Sequence, residues 1–175
     1  MKYLKPLDFY KEIFKDILIK KDLKLGRLLG LDVSDKYVSL ALSDWKNLTA
    51  LPLRALDRQE NNLSSMAADI FQSLILEHNI VGFVVGTKYC SHIIFIDNLC
   101  KTGKFEGLKY TLWDCAITSK NAEFVFKQHL KFILENLPLP QDLDMSQTIM
   151  EKCYAVCALQ GYLDITNKMV EEDWD

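Results

Sequence analysis

Apolar residues follow two kinds of spacing along the chain, and together they predict an α/β domain. Short continuous or alternating apolar runs, bounded by turn residues, predict strands at Arg27–Val33, Lys36–Ser43, Thr49–Leu56, Ile80–Val85 and Leu108–Trp113. Apolar residues three and four positions apart predict helices at Leu7–Lys21, from Leu63 through Leu74, at Ile93–Lys101, at about Lys120–Leu137 and at Ser146–Ile165.

The order of these elements predicts a mixed five-stranded sheet with helices on both faces. Only short turns separate the first three strands, so they should form antiparallel hairpins. Strands and helices alternate afterwards, which indicates parallel βαβ connections. Because Arg27–Val33 is apolar almost throughout, it should be an interior strand between its hairpin partner and Ile80–Val85.

The chain of 175 residues has the length of one domain, and we divide it into three parts. Residues 1–25 form an amphipathic helical extension, residues 26–168 form the α/β domain, and residues 169–175 form an acidic tail. We expect the N-terminal helix to pack on the domain, and the alternative is that it binds a partner protein.

Composition narrows the cellular setting and the class of partner. A net charge of −3 provides no overall basic surface, so any nucleic-acid binding must use a local patch. The five cysteines are an odd number without a Cys-x-x-Cys pair, which favours a reducing compartment over a disulfide framework. Cys153 and Cys157 lie four apart on one helix face, and we expect them to be buried small side chains instead of a metal-binding pair. Acidic residues near the N-terminus argue against a transit peptide, and no apolar run suits a signal peptide or a membrane span. We therefore expect a cytoplasmic or nuclear protein that does not bind membranes.

Asp32 ends the apolar run of the first strand, where a carboxylate needs a cation, a polar partner or water. The surrounding sequence, Gly26-Arg27-Leu28-Leu29-Gly30-Leu31-Asp32-Val33-Ser34-Asp35-Lys36, resembles the opening strand of the YqgF (RuvX) family of the ribonuclease H-like superfamily. The resemblance continues at Ala41-Leu42-Ser43-Asp44, Leu48 to Leu53, Val84-Val85-Gly86, Trp113-Asp114 and Ala155 to Asp164. It covers most of the chain between Arg27 and Asp164.

This resemblance implies a ribonuclease H-like fold and an ancestry among nucleases that hold Mg²⁺ or Mn²⁺ with three carboxylates. Asp32 matches the first acid, and Glu151 matches the third, where the family usually has aspartate. At the second acid the family usually reads Asp-Glu-Arg, whereas this chain reads Asp114-Cys115-Ala116. Cysteine is a soft ligand that suits Mg²⁺ poorly. We therefore assign Asp32 and Glu151 to metal binding, and Asp32, Glu151 and Asp114 to catalysis, with Asp114 as a stand-in for the missing glutamate.

Other differences from the family affect the same region. Ser34 and Ser39 replace two family glycines, Asp35 replaces a threonine and could itself donate a carboxylate, and the family's Gly-Leu-Pro is here Gly86-Thr87-Lys88. We expect Lys36, Lys88 and Lys120 to contact phosphates, and the alternative is that these lysines are only solvated surface.

Two functions remain in competition. The first is a protein of nucleic-acid metabolism with impaired or lost catalysis, because Cys115 replaces a metal-binding acid. The alternative is an active Mg²⁺- or Mn²⁺-dependent endonuclease that processes ribosomal RNA or branched DNA. The partner is structured RNA or branched DNA in either case. An actin-like ATPase also begins with a strand followed by aspartate, but the chain is too short for its two lobes.

Overall fold

A computed structural model describes residues 1–20, 26–58, 63–114, 127–128 and 144–173, with backbone alone at 16–20, 63–65, 144–153, 170–171 and 173. The strands are β1 (Lys2–Tyr3), β2 (Arg27–Val33), β3 (Tyr37–Ser43), β4 (Ala50–Asp57), β5 (Ile80–Gly86) and β6 (Lys109–Trp113). The helices are α1 (Pro6–Lys20), α2 (Leu63–His78), α3 (Ser91–Lys101) and α4 (Asp144–Asp173).

The strands form one mixed sheet in the order β1-β6-β5-β2-β3-β4. Strand β2 pairs antiparallel with β3 and parallel with β5, which confirms its predicted interior position. All five predicted strands are present, and their ends agree with the prediction to within one residue. The difference is a sixth strand, β1, which pairs parallel with β6 at Lys2↔Lys109 and Tyr3↔Tyr110. A strand of two residues has no periodicity that a sequence pattern could reveal.

The two faces of the sheet carry separate hydrophobic cores, as predicted for helices on both faces. Side chains alternate along β2, so Leu29 and Leu31 join the core beneath α2 and α3. Leu28 belongs to the opposite core, which α1 and α4 cover, and Gly30 and Asp32 share that face by the same alternation. Asp32 therefore lies on the α4 face of a strand that is buried on both sides.

The N-terminal helix α1 packs on the domain. Phe9 is fully buried, and its ring lies edge-on to Tyr162 with 5.8 Å between the ring centroids. The hydroxyl of Tyr162 donates a hydrogen bond to the carbonyl of Pro6 at 3.2 Å. Burial of a phenylalanine side chain stabilises a fold by about 1.5–3 kcal/mol. These contacts agree with intramolecular packing of the helix, whereas its alternative use in binding a partner protein gains no support.

The last helix is longer than predicted at both ends. It begins at Asp144 instead of Ser146 and continues to Asp173, so the acidic residues expected in a tail extend the helix. Predicted helix Lys120–Leu137 lies outside the described residues apart from 127–128, which are helical. The division into three parts stays a prediction. Within the described ranges, no helix combines the length and the apolar character that crossing a membrane requires.

Candidate functional site

Asp32 is buried at the carboxyl end of β2, with only 1% of its surface exposed. It pairs with Ser39 across the β2–β3 ladder. On the other side, Leu31 pairs with Val85, which sets Asp32 beside Gly86 of β5. Gly86 contributes no side chain to this face of the sheet. Asp32 and Ser39 therefore supply the polar side chains at this level of the three adjacent strands.

Helix α4 crosses β2 at Gly30 in very close contact. A Cβ atom added at Gly30 would lie 2.7 Å from the Cβ of Leu159 and 3.0 Å from the carbonyl oxygen of Ala155. The backbone N–H of Ala155 donates to the Oγ of Ser39 at 3.2 Å. The absence of a side chain at Gly30 thus allows α4 to reach the strand that carries Asp32.

The backbone of α4 places position 151 near the Asp32 end of the sheet. Residues four apart share a helix face, so Glu151 lies one turn before Ala155 on the face that meets the strands. The side chain of Glu151 is outside the described part of the chain, and its pairing with Asp32 stays a prediction. Because α4 begins at Asp144, Glu151 does not lie in the first turn, where a carboxylate would complement the helix dipole.

Lys88 follows β5 and reaches the N-terminal half of α4. Its Nζ lies 3.3 Å from the centroid of the Tyr154 ring and 5.4 Å from that of Tyr89. Burial is the largest influence on the pKa of Lys88 and lowers it. A hydrogen bond and electrostatic attraction to Tyr154, with further attraction to Tyr89 and Asp32, outweigh burial and hold this pKa above its ordinary value. Lys88 is therefore a charged ammonium at neutral pH, and Asp32 lies within its electrostatic reach.

The other predicted site residues take different positions. Asp114 directly follows β6 and is exposed, next to Trp113, whose carbonyl accepts the backbone N–H of Thr87 at 3.0 Å. Asp35 is an exposed turn residue that accepts a hydrogen bond from the Ser91 hydroxyl at 2.8 Å, which ties it to the start of α3. Lys36 is exposed in the same turn.

The predicted metal ligands stay a prediction. Among the side chains that the structure describes, no three His, Cys, Asp or Glu residues come together in a way that could hold a metal ion. Cys115, Ala116 and Lys120 lie outside the described residues. Asp32 is the buried acid among the described side chains, and its role as a metal ligand together with Glu151 stays a prediction.

Sequence reasoning missed the residues that surround Asp32 and those that hold α4 on the sheet. Ser39 appeared only as a lost glycine, and Tyr154 only as an unnamed position within the predicted helix Ser146–Ile165. Gln160, buried in α4, accepts a hydrogen bond from the backbone N–H of Ala50 at 2.7 Å. A buried glutamine within an apolar helix is the one signal that could have pointed to such a contact.

The topology, with three antiparallel strands followed by parallel strands and helices on both faces, defines a ribonuclease H-like fold. The chain is similar to proteins provisionally named pre-16S rRNA nuclease. It is 28% identical to the one from Lachnospira eligens over 154 residues, covering 81% of this chain and 99% of that protein. It is 26% identical to the one from Caldicellulosiruptor bescii over 146 residues, covering 81% and 98%. These similarities agree with the resemblance of the chain to the YqgF (RuvX) family.

No protein-family model matches the chain. Among solved structures, RuvC of T. thermophilus in complex with a Holliday junction substrate aligns with a TM-score of 0.47 and 10% sequence identity, covering 81% of this chain and 96% of that one.

Proposed function

We propose that this protein is a YqgF-like protein of nucleic-acid metabolism that binds structured precursor ribosomal RNA and whose phosphodiester cleavage is impaired. The observation that carries the proposal is similarity over nearly the whole length of the relatives provisionally named pre-16S rRNA nuclease. The similarity favours RNA over branched DNA as the ligand.

Impaired cleavage is supported by the acids themselves. Asp32 occupies the end of an interior strand, but Cys115 stands where the family resemblance implies a glutamate. Mg²⁺ and Mn²⁺ need hard oxygen ligands, and the loss of one carboxylate from three weakens their binding. Asp114 is exposed and follows a buried tryptophan on β6, so it is a poor substitute for a ligand beside the buried Asp32.

RNA contact would use a local positive patch, since the net charge is negative. Lys36 in the β2–β3 turn and Lys88 after β5 both lie near the carboxyl end of β2. Lys120 stays a sequence-based candidate for the same patch. Such lysines bind the phosphate backbone through charge, so affinity for RNA should fall as salt rises.

The test measures binding and cleavage separately. Wild-type protein should bind a precursor 16S rRNA fragment in EDTA by fluorescence anisotropy, more tightly than a four-way DNA junction, and should cleave neither at a substantial rate with Mg²⁺ or Mn²⁺. Cys115→Glu, and more so Cys115→Glu with Ala116→Arg, should increase cleavage, because these changes restore a hard ligand and a cation.

The alternative is an active Mg²⁺- or Mn²⁺-dependent endonuclease, for which we expect efficient cleavage by the wild type. Robust cleavage by the wild type that Asp32→Asn abolishes would refute the proposal that cleavage is impaired. It would also show that Glu151, together with Asp114 or Asp35, supplies enough carboxylates for metal binding. A wild type that binds neither RNA nor the DNA junction would refute the proposed function altogether.

A further inference from the structure

The loop between β3 and β4 exposes an aromatic ring at the end of the sheet opposite Asp32. Trp45 is 56% exposed, and the guanidinium carbon of Arg27 lies 4.5 Å from the centroid of its ring. Arg27 is the first residue of β2 and Asp32 is the sixth, so about 17 Å of strand separates them. The exposed ring therefore lies away from the buried acid.

The loop that carries Trp45 is fixed from within by Asn47, which is 3% exposed. The Oδ1 of Asn47 accepts a hydrogen bond from the hydroxyl of Ser43 at 2.6 Å, and its Nδ2 donates to the carbonyl of Gly26 at 2.9 Å. The side chain of Asn167 on α4 donates to the carbonyl of Asn47 at 3.0 Å. A loop held in this way loses little conformational freedom when a ligand binds to it.

The guanidinium of Arg27 is also fixed in place. Its Nε donates a hydrogen bond to the carbonyl of Ser43 at 2.7 Å, while the guanidinium covers part of the Trp45 ring. Attraction between a guanidinium and an indole ring stabilises their contact. More than half of the tryptophan side chain still remains open to a ligand.

The charges beside the ring favour an anionic ligand. Lys46 directly follows Trp45 and is exposed. The nearest acid in the chain, Asp44, uses its Oδ1 to accept the backbone N–H groups of Leu48 and Thr49 at 2.8 and 3.2 Å, so this carboxylate is engaged within the loop. The ring thus has a cation on either side in a chain whose net charge is −3. An exposed aromatic ring combined with cations is the arrangement that binds unpaired nucleotides.

We propose that Arg27, Trp45 and Lys46 form a stacking platform for an unpaired base of RNA, with Lys46 on a neighbouring phosphate. A base can stack on an aromatic ring whatever its identity, so the platform would bind single-stranded segments without reading their sequence. This inference rests on the proposed function, which supplies RNA as the ligand. It adds a contact far from Asp32, Lys36 and Lys88.

The first test is RNA affinity of the full chain in EDTA, measured by fluorescence anisotropy on a precursor 16S rRNA fragment with an unpaired segment. Trp45→Leu removes the ring and should weaken binding at least about fivefold, whereas Trp45→Phe keeps a ring and should weaken it less. Leu48→Ala is the matched control, because Leu48 is 49% exposed in the same loop; its affinity should stay within about twofold of the wild type. On an RNA duplex without unpaired bases, Trp45→Leu should also stay within about twofold.

The salt dependence tests the role of Lys46. Lys46→Met removes one phosphate contact, so the slope of log affinity against log salt concentration should become shallower by about 0.7 on single-stranded RNA. Trp45→Leu should leave this slope nearly unchanged, since stacking releases no counter-ion. A Lys46→Met slope equal to that of the wild type would reject the phosphate contact.

Tryptophan emission gives a readout of the ring itself. In a Trp174→Phe background the remaining tryptophans are Trp45 and the buried Trp113, so quenching by RNA should report Trp45. Quenching should disappear when Trp45→Phe is added. Quenching that persists without Trp45, or that never occurs although RNA binds, would contradict stacking on this ring.

The outcomes separate this inference from the proposed function. If the wild type binds the RNA fragment and Trp45→Leu loses no more affinity than Leu48→Ala, the platform is rejected in favour of a protein contact, while the proposed function stands. An equal loss on unpaired and duplex RNA also rejects base stacking. Circular dichroism checks that each variant is folded, and if Trp45→Leu is not, Trp45→Phe and the quenching decide. Failure of the wild type to bind any RNA refutes the proposed function and the platform together.

Discussion

Gln160 connects α4 to the β3–β4 hairpin and gives the sharpest test of how the helix is held. The side chain is 1% exposed. Its Oε1 accepts a hydrogen bond from the N–H of Ala50 at 2.7 Å. Its Nε2 donates to the carbonyl of Leu48 and to Oδ1 of Asp164, both at 2.9 Å. Gln160→Met removes all three bonds and keeps nearly the same side-chain length and volume.

The loss of stability in Gln160→Met depends on which of the three hydrogen-bond partners can reach water after the substitution. Ala50 is fully buried, so its N–H loses its acceptor without access to solvent, which costs about 1–3 kcal/mol. Loss of the other two bonds adds about 0.5–1.5 kcal/mol each where the partners are partly exposed. These contributions total about 2–6 kcal/mol, and relaxation of the structure around the methionine should reduce the measured loss to about 2–4 kcal/mol. For a chain of this size the unfolding midpoint should fall by about 4–16 °C.

The assay is thermal and urea denaturation followed by circular dichroism. Gln72→Met is the matched control, because Gln72 is half-buried on α2 and has no side-chain hydrogen bond within the described part of the chain. That variant should stay within about 0.5 kcal/mol of the wild type. If Gln160→Met loses no more stability than Gln72→Met, then the hydrogen bonds of Gln160 do not secure α4, and the reasoning is wrong.

Two further changes test the packing of α4 and the attachment of α1. Gly30→Ala should destabilise the fold by about 1–3 kcal/mol in urea denaturation, since the new methyl would lie 2.7 Å from the Cβ of Leu159; an unchanged midpoint would contradict the close contact. Glu12 has a pKa below its ordinary value, first because of its hydrogen bond to Lys109 at 2.6 Å and then because of the charge of Lys109. Its contribution to stability is therefore present above the unfolded pKa and is lost as pH falls through the lower folded pKa. Lys109→Met should move the pKa of Glu12 upward in an NMR titration, and no movement would reject the pairing.

Most of the sheet could be predicted from the sequence, because each core strand has its own local signal. The apolar runs of β2 and β5 have the length and composition of strands covered on both faces, and turn residues separate β2 from β3. Strand β1 could not be predicted, since two residues have no period and their pairing depends on β6, about a hundred residues away. The start of α4 at Asp144 was also missed because the apolar periodicity begins only later.

The candidate site, like the fold, could be predicted from the sequence only in part. Asp32 could be placed at the end of a buried strand because the strand pattern fixes which residue ends it. Lys88 was predicted as a phosphate contact, and that prediction stays untested, but its neighbours could not be inferred. Its contact with Tyr154 joins residues far apart in the chain, and no local pattern indicates which aromatic ring a lysine will meet.

The framework of the site and its charge have different physical origins in this fold. Gly30, Ser39 and Gln160 position α4 through close packing and neutral hydrogen bonds, and none of these contacts requires a metal ion. The charge at the strand end depends instead on Asp32 and on whichever cation lies beside it. Because the two are independent, a chain can retain the ribonuclease H-like arrangement of strand and helix while the acids at the strand end change. Stability therefore reports on the framework, and only ion binding and cleavage report on the chemistry.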